Sequence, residues 1–141
     1  MATINASINI TSDIPSSGFS LSKTMTMTKA GLETGIENTN GLGVKKLAAT
    51  TAVVLELAAD ATASGANKLY IRNTGSNKAE HVKISFNASA SADTTTENIG
   101  RLYGGDWMLI PWEADGTTHN VVASPSTADE VTTIEYMTFH E

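Results

Sequence analysis

Lys68-Leu-Tyr-Ile-Arg-Asn73 has the composition of a β-strand, and it runs directly into the turn sequence Thr74-Gly-Ser-Asn77. The run that follows, His81-Val-Lys-Ile-Ser-Phe86, places its three apolar residues on one face of an extended chain. Apolar residues on a period of two, bounded by turn residues, indicate strands rather than helices. We therefore expect the two runs to form an antiparallel hairpin within a fold built from β-strands.

Similar runs occur on both sides of this pair. Near the N-terminus, apolar and polar residues alternate from Ile4 to Ile10 and again from Phe19 to Thr28, with a polar turn between them. Towards the C-terminus the pattern predicts four more strands: Ile99–Tyr103, Trp107–Pro111, Asn120–Ala123 and Val131–His140. Short strands with regular turn signals predict a β-sandwich or a barrel. Our expectation is an all-β fold, an antiparallel β-sandwich of jelly-roll type with an N-terminal strand arm.

The composition agrees with a β protein. The 141 residues include 20 threonines, and only 17% are charged, against about 25% in an average soluble domain. Thr suits a pleated strand, and the abundant Asn, Ser and Gly suit turns. A helical protein would instead carry Glu, Lys, Leu and Ala at a period of about 3.6 residues.

Two segments leave the organisation open. Residues 29–43 contain four glycines, which predicts a flexible connection. Residues 47–61 are rich in Ala, which permits a helix, but Ala52-Val-Val-Leu-Glu-Leu57 favours a strand because Val is β-branched. We expect an N-terminal strand pair with its Gly-rich connection over 1–45 and a β-sandwich over 46–141, together forming one domain.

Charge and hydropathy argue against two classes of partner. The chain has nine Lys and Arg against fifteen Asp and Glu, a net charge of −6, and its longest basic run is Lys45–Lys46. A protein that neutralises phosphates needs clustered cations, so we expect no nucleic-acid partner. No apolar stretch approaches the roughly 20 residues of a membrane span, so we expect no membrane partner. With no cysteine there is no disulfide framework and no thiolate nucleophile.

No residue pattern indicates an active site, a cofactor or a metal site. The histidines lie far apart in the sequence and are expected on or beside surface strands: His81, His119 and His140. Asp106, Glu113 and Asp115 lie near two tryptophans, as carboxylates do in glycosidase clefts. Asp106, however, follows two glycines and fits a turn better. We therefore expect no enzymatic activity.

Trp107 and Trp112 are five residues apart in one strand region, so an extended chain directs them to opposite faces. One ring would then lie in the core and the other at the surface, where tryptophan is enriched in interfaces. The alternative is that Pro111 breaks the strand and both rings pack on the core. Leu109 is expected in the core, where its truncation to Ala would cost roughly 2–5 kcal/mol.

Three stretches resemble the small β-sandwich structural proteins of tailed-bacteriophage virions: Lys68–Gly75, Ile99–Trp112 and Thr133–His140. Such proteins often have a strand ending in Asn, a hairpin, an Arg-Leu-x-x-Gly-acidic-aromatic turn, an apolar strand with Pro, and a closing strand with Glu-Tyr. The resemblance covers residues 68–141 and concerns turns and core positions. It therefore bears on the fold more than on the role.

The resemblance implies a non-enzymatic virion structural protein, a capsid decoration (cement) protein that binds the outside of the phage head. Its partners would be the major capsid protein and further copies of itself in a homo-oligomer, with a trimer expected. The alternative roles are a head–tail adaptor and a tail-fibre or receptor-binding module that recognises host glycan through Tyr103, Trp107 or Trp112. Charge-poor strands pair readily with neighbours because few charges protect their edges.

The first two strands are the expected contact surface. They would either add to a neighbouring subunit's sheet or form outer strands of the chain's own sandwich. The residues expected at an interface are apolar or aromatic: Ile4, Ile8, Ile10, Phe19, Leu21, Met25, Met27, Tyr103 and Trp112.

Overall fold

The computed structural model describes residues 3–14, 18–29, 31–32, 34–36, 38–48, 52–61, 65–87, 98–126 and 131–141. These residues form eleven β-strands and one turn of 3-10 helix, Ala58–Asp60, which confirms the all-β expectation. The strands are β1 (Ile4–Ser12), β2 (Phe19–Met27), β3 (Asn38–Thr39), β4 (Gly43–Leu47), β5 (Val53–Glu56), β6 (Lys68–Asn73), β7 (His81–Asn87), β8 (Asn98–Tyr103), β9 (Trp107–Pro111), β10 (Asn120–Pro125) and β11 (Thr132–His140). They fall into two compact units, residues 1–37 and 38–141.

The first unit is a hairpin. β1 and β2 pair antiparallel over their whole length, from Ile4 opposite Met27 to Ser12 opposite Phe19. Beyond β2 the chain turns back, and the Lys29 N–H donates to the Thr34 carbonyl at 2.9 Å. In the part of the chain that the structure describes, β1 and β2 pair with no strand of the second unit. The alternative that they are outer strands of the chain's own sandwich is therefore wrong.

The second unit contains two antiparallel sheets. One has the order β5-β10-β7-β8, and the other has the order β4-β11-β6-β9, with the short β3 pairing β11 beside β4. Numbered from β4 to β11 as 1 to 8, these orders are 2-7-4-5 and 1-8-3-6. This is the strand order of an eight-stranded jelly roll, the fold type expected from the sequence.

The core of the second unit lies between its two sheets. Leu69 and Ile71 of β6 form one buried cluster with Val82 and Ile84 of β7, and all four side chains have no exposed surface. Alternate residues supply this cluster because successive side chains of a strand point to opposite faces. Apart from the short β3, each of the other strands of this unit has at least one apolar residue in the cluster or packed against it: β4, β5, β8, β9, β10 and β11.

The expected hairpin of β6 and β7 is wrong. β6 pairs with β9 and β11, whereas β7 pairs with β8 and β10, so the segment 74–80 crosses from one sheet to the other. The Gly104-Gly105-Asp106 turn makes a second crossing, because β8 and β9 also lie in different sheets. Neighbouring strands with one apolar face can cover each other across a core as well as pair side by side, and the local pattern is the same in both cases.

The core position expected for Leu109 is also wrong, by one residue. Leu109 lies opposite Tyr70 in the β6–β9 register, on the outer face of the sheet. Met108 and Ile110 point the other way and pack against the core.

The two ambiguous segments are resolved where the structure describes them. Residues 53–56 form β5, which confirms the strand interpretation, and the 3-10 turn follows directly. The Gly-rich segment is not a simple connection, since β3 lies within it and β4 begins at Gly43. Both strands pair with β11, which moves the boundary between the two units from residue 45 to residue 37.

Candidate functional site

The hairpin of β1 and β2 has one wholly polar face. Asn5 lies opposite Thr26, and Ser7 lies opposite Thr24. The Thr26 hydroxyl donates to Asn5 Oδ1 at 2.7 Å, and the Ser7 and Thr24 hydroxyls hydrogen-bond at 2.8 Å. Cross-strand pairs of this kind stabilise one register over its neighbours. The pattern therefore fixes which residues occupy the opposite face.

The opposite face of the hairpin is almost entirely apolar, and much of it is exposed. By the pairing register it carries Ile4, Ala6, Ile8, Ile10, Phe19, Leu21, Met25 and Met27, interrupted only by Lys23 and Ser12. The exposed fractions are 39% for Ile8, 41% for Ile10, 48% for Phe19 and 47% for Met25. Met27 is buried. The exposed residues therefore lie away from the end of the hairpin where β1 begins and β2 ends. This contiguous exposed apolar surface is a candidate interaction site.

The hairpin also presents unpaired backbone. Because the sheet has only two strands, each strand has one edge whose N–H and C=O groups pair with no other strand in the described residues. An isolated two-stranded hairpin is marginally stable in water. Both the free edges and the apolar face would be satisfied by contact with another molecule.

A second exposed surface lies on the outer face of the β9–β6–β11 sheet. Trp107 lies opposite Arg72, and Arg72 lies opposite Glu135, so the three side chains form one row across three strands. Tyr70 is the next outward residue along β6. Trp107 is 50% exposed, which is unusual for so large an apolar side chain. We call Tyr70, Arg72, Trp107 and Glu135 the aromatic face.

The aromatic face borders an open groove of about 500 Å³, lined by Tyr70, Arg72, Gly105 and Trp107. Gly105 has a φ of +93°, a conformation that favours glycine. Where Gly105 lines the groove, the wall is therefore backbone alone. The Arg72 Nη1 to Glu135 Oε2 distance is 3.8 Å. At that distance the two groups form an ion pair without a direct hydrogen bond. The guanidinium N–H groups and the carboxylate oxygens can therefore still hydrogen-bond to a ligand.

The sequence placed the exposed tryptophan at the wrong position. The expectation that one ring is buried and the other exposed is confirmed. The buried ring is that of Trp112, with 1% of its surface exposed. Its backbone N–H donates to the Asn67 carbonyl at 2.9 Å and its indole N–H donates to the His119 carbonyl at 2.8 Å. Trp112 is therefore not available as an interface residue. Tyr103 is 38% exposed, on β8, with its ring 5.2 Å from the His81 ring.

Two of the three carboxylates considered for catalysis, Asp106 and Asp115, accept hydrogen bonds within turns. Asp106 Oδ2 accepts the Tyr103 N–H at 2.9 Å, which confirms Asp106 as a turn residue. Asp115 Oδ1 accepts the N–H groups of Thr117 (2.9 Å) and His119 (3.0 Å), and Oδ2 accepts the Thr118 hydroxyl. Hydrogen bonding to the charged form holds the pKa of Asp115 far below its usual range, led by the Thr118 hydroxyl and the His119 N–H.

The remaining polar groups form no ligand cluster that the structure describes. Among the described residues, no three His, Asp or Glu side chains lie close enough to hold a metal ion. The described part of the chain also contains no helix long and apolar enough to cross a membrane. The pKa of His81 is lowered by burial and by the charges of Arg101 and Lys83, which face it on the same sheet.

Comparison with models of protein families, with curated proteins and with solved structures finds no match to this chain. The hairpin and the aromatic face therefore carry the functional inference. Sequence reasoning found the hairpin residues but missed Tyr70, Arg72 and Glu135. A signal for the first two was present, since they alternate with Leu69 and Ile71 in the strand that opens the pattern.

Proposed function

We propose that this protein is a non-enzymatic structural subunit of a tailed-phage virion, a decoration (cement) protein that binds the outside of the head as a homo-oligomer. The observation that carries the proposal is the amphipathic hairpin, whose apolar face is exposed at Ile8, Ile10, Phe19 and Met25. A protein that acted alone would gain solubility by replacing these residues. Jelly rolls are a common architecture of virion subunits, and the resemblance over residues 68–141 points the same way.

The apolar face alone is too small to hold a stable dimer. Two paired strands of nine residues present a face about 30 Å long and about 10 Å wide. Two such faces in contact bury about 600 Å², whereas stable interfaces usually bury about 1,200–2,000 Å². Three such faces around a threefold axis bury at most about 900 Å², so the proposed assembly also pairs the free strand edges of neighbouring hairpins. We therefore propose a trimer in which the partner of each hairpin is a second copy of this chain.

Attachment to the shell would then come from repetition. Each trimer offers three identical sets of contacts to the major capsid protein, so weak individual contacts multiply. The net charge of −6 favours a shell surface with basic patches. The low charge content leaves the strand edges open to main-chain pairing with a partner.

The oligomer is tested with two variants of the full chain, measured by size-exclusion chromatography with light scattering. The first is the double variant Ile8→Thr/Met25→Thr, which makes the apolar face more polar. Thr is chosen because it is common in β-strands. Ser7→Thr with Asn9→Thr alters the polar face of the same strand and is the matched control. We expect a trimer for the unmodified chain and the control, and a monomer with an unchanged circular dichroism spectrum for the first variant. A monomeric unmodified chain, or a first variant that still forms trimers, would contradict the proposed assembly.

The location is tested on intact virions with a gold-labelled antibody against this chain. A regular distribution over the head is the expected result. Label confined to the tail would overturn decoration and assign a fibre or adaptor role. Virions without label would overturn the virion proposal altogether.

A further inference from the structure

The aromatic face has a composition that the proposed assembly does not require. Trp107 opens β9, and the core contribution of that strand comes from Met108 and Ile110 on its other side. The Trp107 indole therefore adds little to the core while exposing half of its surface to water. A large flat ring kept exposed beside polar groups is the arrangement found where a ligand with an apolar side and a polar rim binds.

Among the described residues that line the groove, Arg72 is the charged one, and its charge is paired with a carboxylate on the neighbouring strand. Arg72 and Glu135 lie opposite each other on β6 and β11, with the ion pair at 3.8 Å. An anionic ligand would meet the Glu135 carboxylate and a cationic ligand would meet the Arg72 guanidinium, so neither is favoured. A neutral ligand rich in hydroxyl groups can donate to Glu135 and accept from Arg72 at the same time. The Tyr70 hydroxyl, on the same strand as Arg72, can do either.

The size of the groove separates a small ligand from a protein partner. About 500 Å³ lies within the range of small-ligand sites, roughly 300–1,000 Å³. Among the described residues, its lining consists of Tyr70, Arg72, Gly105 and Trp107, near one end of β6 and β9. Gly105 contributes only backbone to this lining, so no side chain obstructs the groove at that residue.

We propose that the aromatic face binds a neutral saccharide. The apolar side of a pyranose ring stacks on the Trp107 indole, and its hydroxyl groups hydrogen-bond to Arg72, Glu135 and Tyr70. The site consists of residues of the jelly roll and of none from the hairpin, so its test does not require the proposed trimer.

The test uses the full chain and a panel of neutral disaccharides, with glucosyl, galactosyl, mannosyl and N-acetylglucosaminyl linkages each represented. Saturation-transfer NMR detects binding, and tryptophan fluorescence locates it. Because Trp112 is buried and Trp107 is half exposed, a ligand at this site shifts the Trp107 emission to shorter wavelength and protects it from acrylamide. We expect at least one disaccharide to bind with a Kd of about 1–10 mM and with little dependence on salt concentration.

Three variants assign the site. Trp107→Ala is expected to weaken binding by at least about tenfold, and Trp107→Phe by less, since it keeps a ring for stacking. Tyr103→Ala removes an exposed aromatic residue from the other sheet and should leave binding unchanged. The thermal unfolding midpoint of each variant shows that the fold is intact.

Three results would overturn the proposal: no binding across the panel, Trp107→Ala binding as tightly as the unmodified chain, or a preference for sulfated or sialylated sugars that declines with salt. All of these are measured on the isolated protein. They therefore remain distinct from any failure of head labelling or of trimer formation.

Discussion

At the scale of single residues, Asn73 and Gly104 hold the two sheets of the jelly roll together. The buried Asn73 side chain donates to the Leu102 carbonyl of β8 at 3.0 Å and accepts the Gly75 N–H at 2.9 Å. Its backbone carbonyl also accepts the Gly105 N–H at 2.9 Å. One residue at the end of β6 thereby joins both crossings between the sheets, and the amide satisfies groups that would otherwise be buried without partners.

Gly104 is where this junction allows no side chain. A Cβ at Gly104 would lie 2.6 Å from the Asn77 carbonyl oxygen and 2.7 Å from the Gly75 carbonyl oxygen. Gly104→Ala must push backbone apart, and we expect it to lower the free energy of unfolding by about 1–3 kcal/mol in urea titrations. Gly100→Ala, in the same strand region with nothing within 4 Å of the added Cβ, is the control and should be near neutral. Equal losses for the two variants would show that the close approach does not matter.

At the scale of the strands, the two faces of the β6–β9 pair differ in what they contribute. Ile71 is fully buried in the core, while Leu109 lies on the outer face opposite Tyr70. We expect Ile71→Ala to cost about 2–5 kcal/mol of unfolding free energy, because it leaves a cavity. Leu109→Ala should cost only about 1 kcal/mol. Chemical denaturation of both variants measures the difference, and a larger loss at Leu109 would mean that the observed register is shifted by one residue.

Strand positions could be predicted from the sequence, whereas strand partners could not. The period of two is a local property, so Lys68–Asn73 and His81–Phe86 were recognised as strands without knowledge of the fold. The apolar faces of these two strands look alike in the sequence. Pairing in one hairpin and packing face to face across a core would both bury them. The choice depends on β9 and β11, which lie beside β6, and β11 is about 60 residues away in sequence.

The same distinction explains which site residues were found. The hairpin faces follow from alternation within two adjacent strands, so Ile8, Ile10 and Met25 were identified from the pattern alone. The aromatic face is assembled from β6, β9 and β11, and its composition depends on their order in the sheet. Trp112 was misassigned because alternation places two rings on opposite faces without saying which face is covered.

At the scale of the whole second unit, a polar link connects the two sheets and makes stability depend on pH. The Asn40 side-chain amide donates to Glu56 Oε1 on β5, and its Oδ1 hydrogen-bonds His140 Nε2 on β11 at 2.9 Å. Burial raises the pKa of Glu56, with a smaller contribution from the charge of Asp60. The Asn40 hydrogen bond and the His140 charge oppose that rise.

A raised pKa fixes the sign of the pH dependence. The folded state holds the Glu56 proton more tightly than the unfolded state, whose value is near 4.5. The contribution of Glu56 to stability is therefore greatest below that value and declines as the pH rises through the folded pKa. We expect Glu56→Gln, which can keep the hydrogen bond from Asn40, to gain stability relative to the unmodified chain as the pH is raised from 4 to 7.

Thermal unfolding at a series of pH values measures this gain. Glu113→Gln removes one negative charge at an exposed residue and controls for the change in net charge. A Glu56→Gln variant that loses stability at neutral pH would show that the charged hydrogen bond outweighs the cost of burial.

The place of β11 in its sheet has a consequence for how the chain is made. β11 lies between β4 and β6, and its residues Ile134 to Phe139 pair with strands on one or both sides, so the sheet remains in two pieces until this last strand is available. During synthesis, β1 and β2 leave the ribosome before the strands of the jelly roll and can pair locally, while the jelly roll must wait for β11. The apolar face of the hairpin is thus exposed on every nascent chain before the jelly roll has folded. In the proposed homo-oligomer, neighbouring ribosomes on one message bring such hairpins together before any single copy is complete.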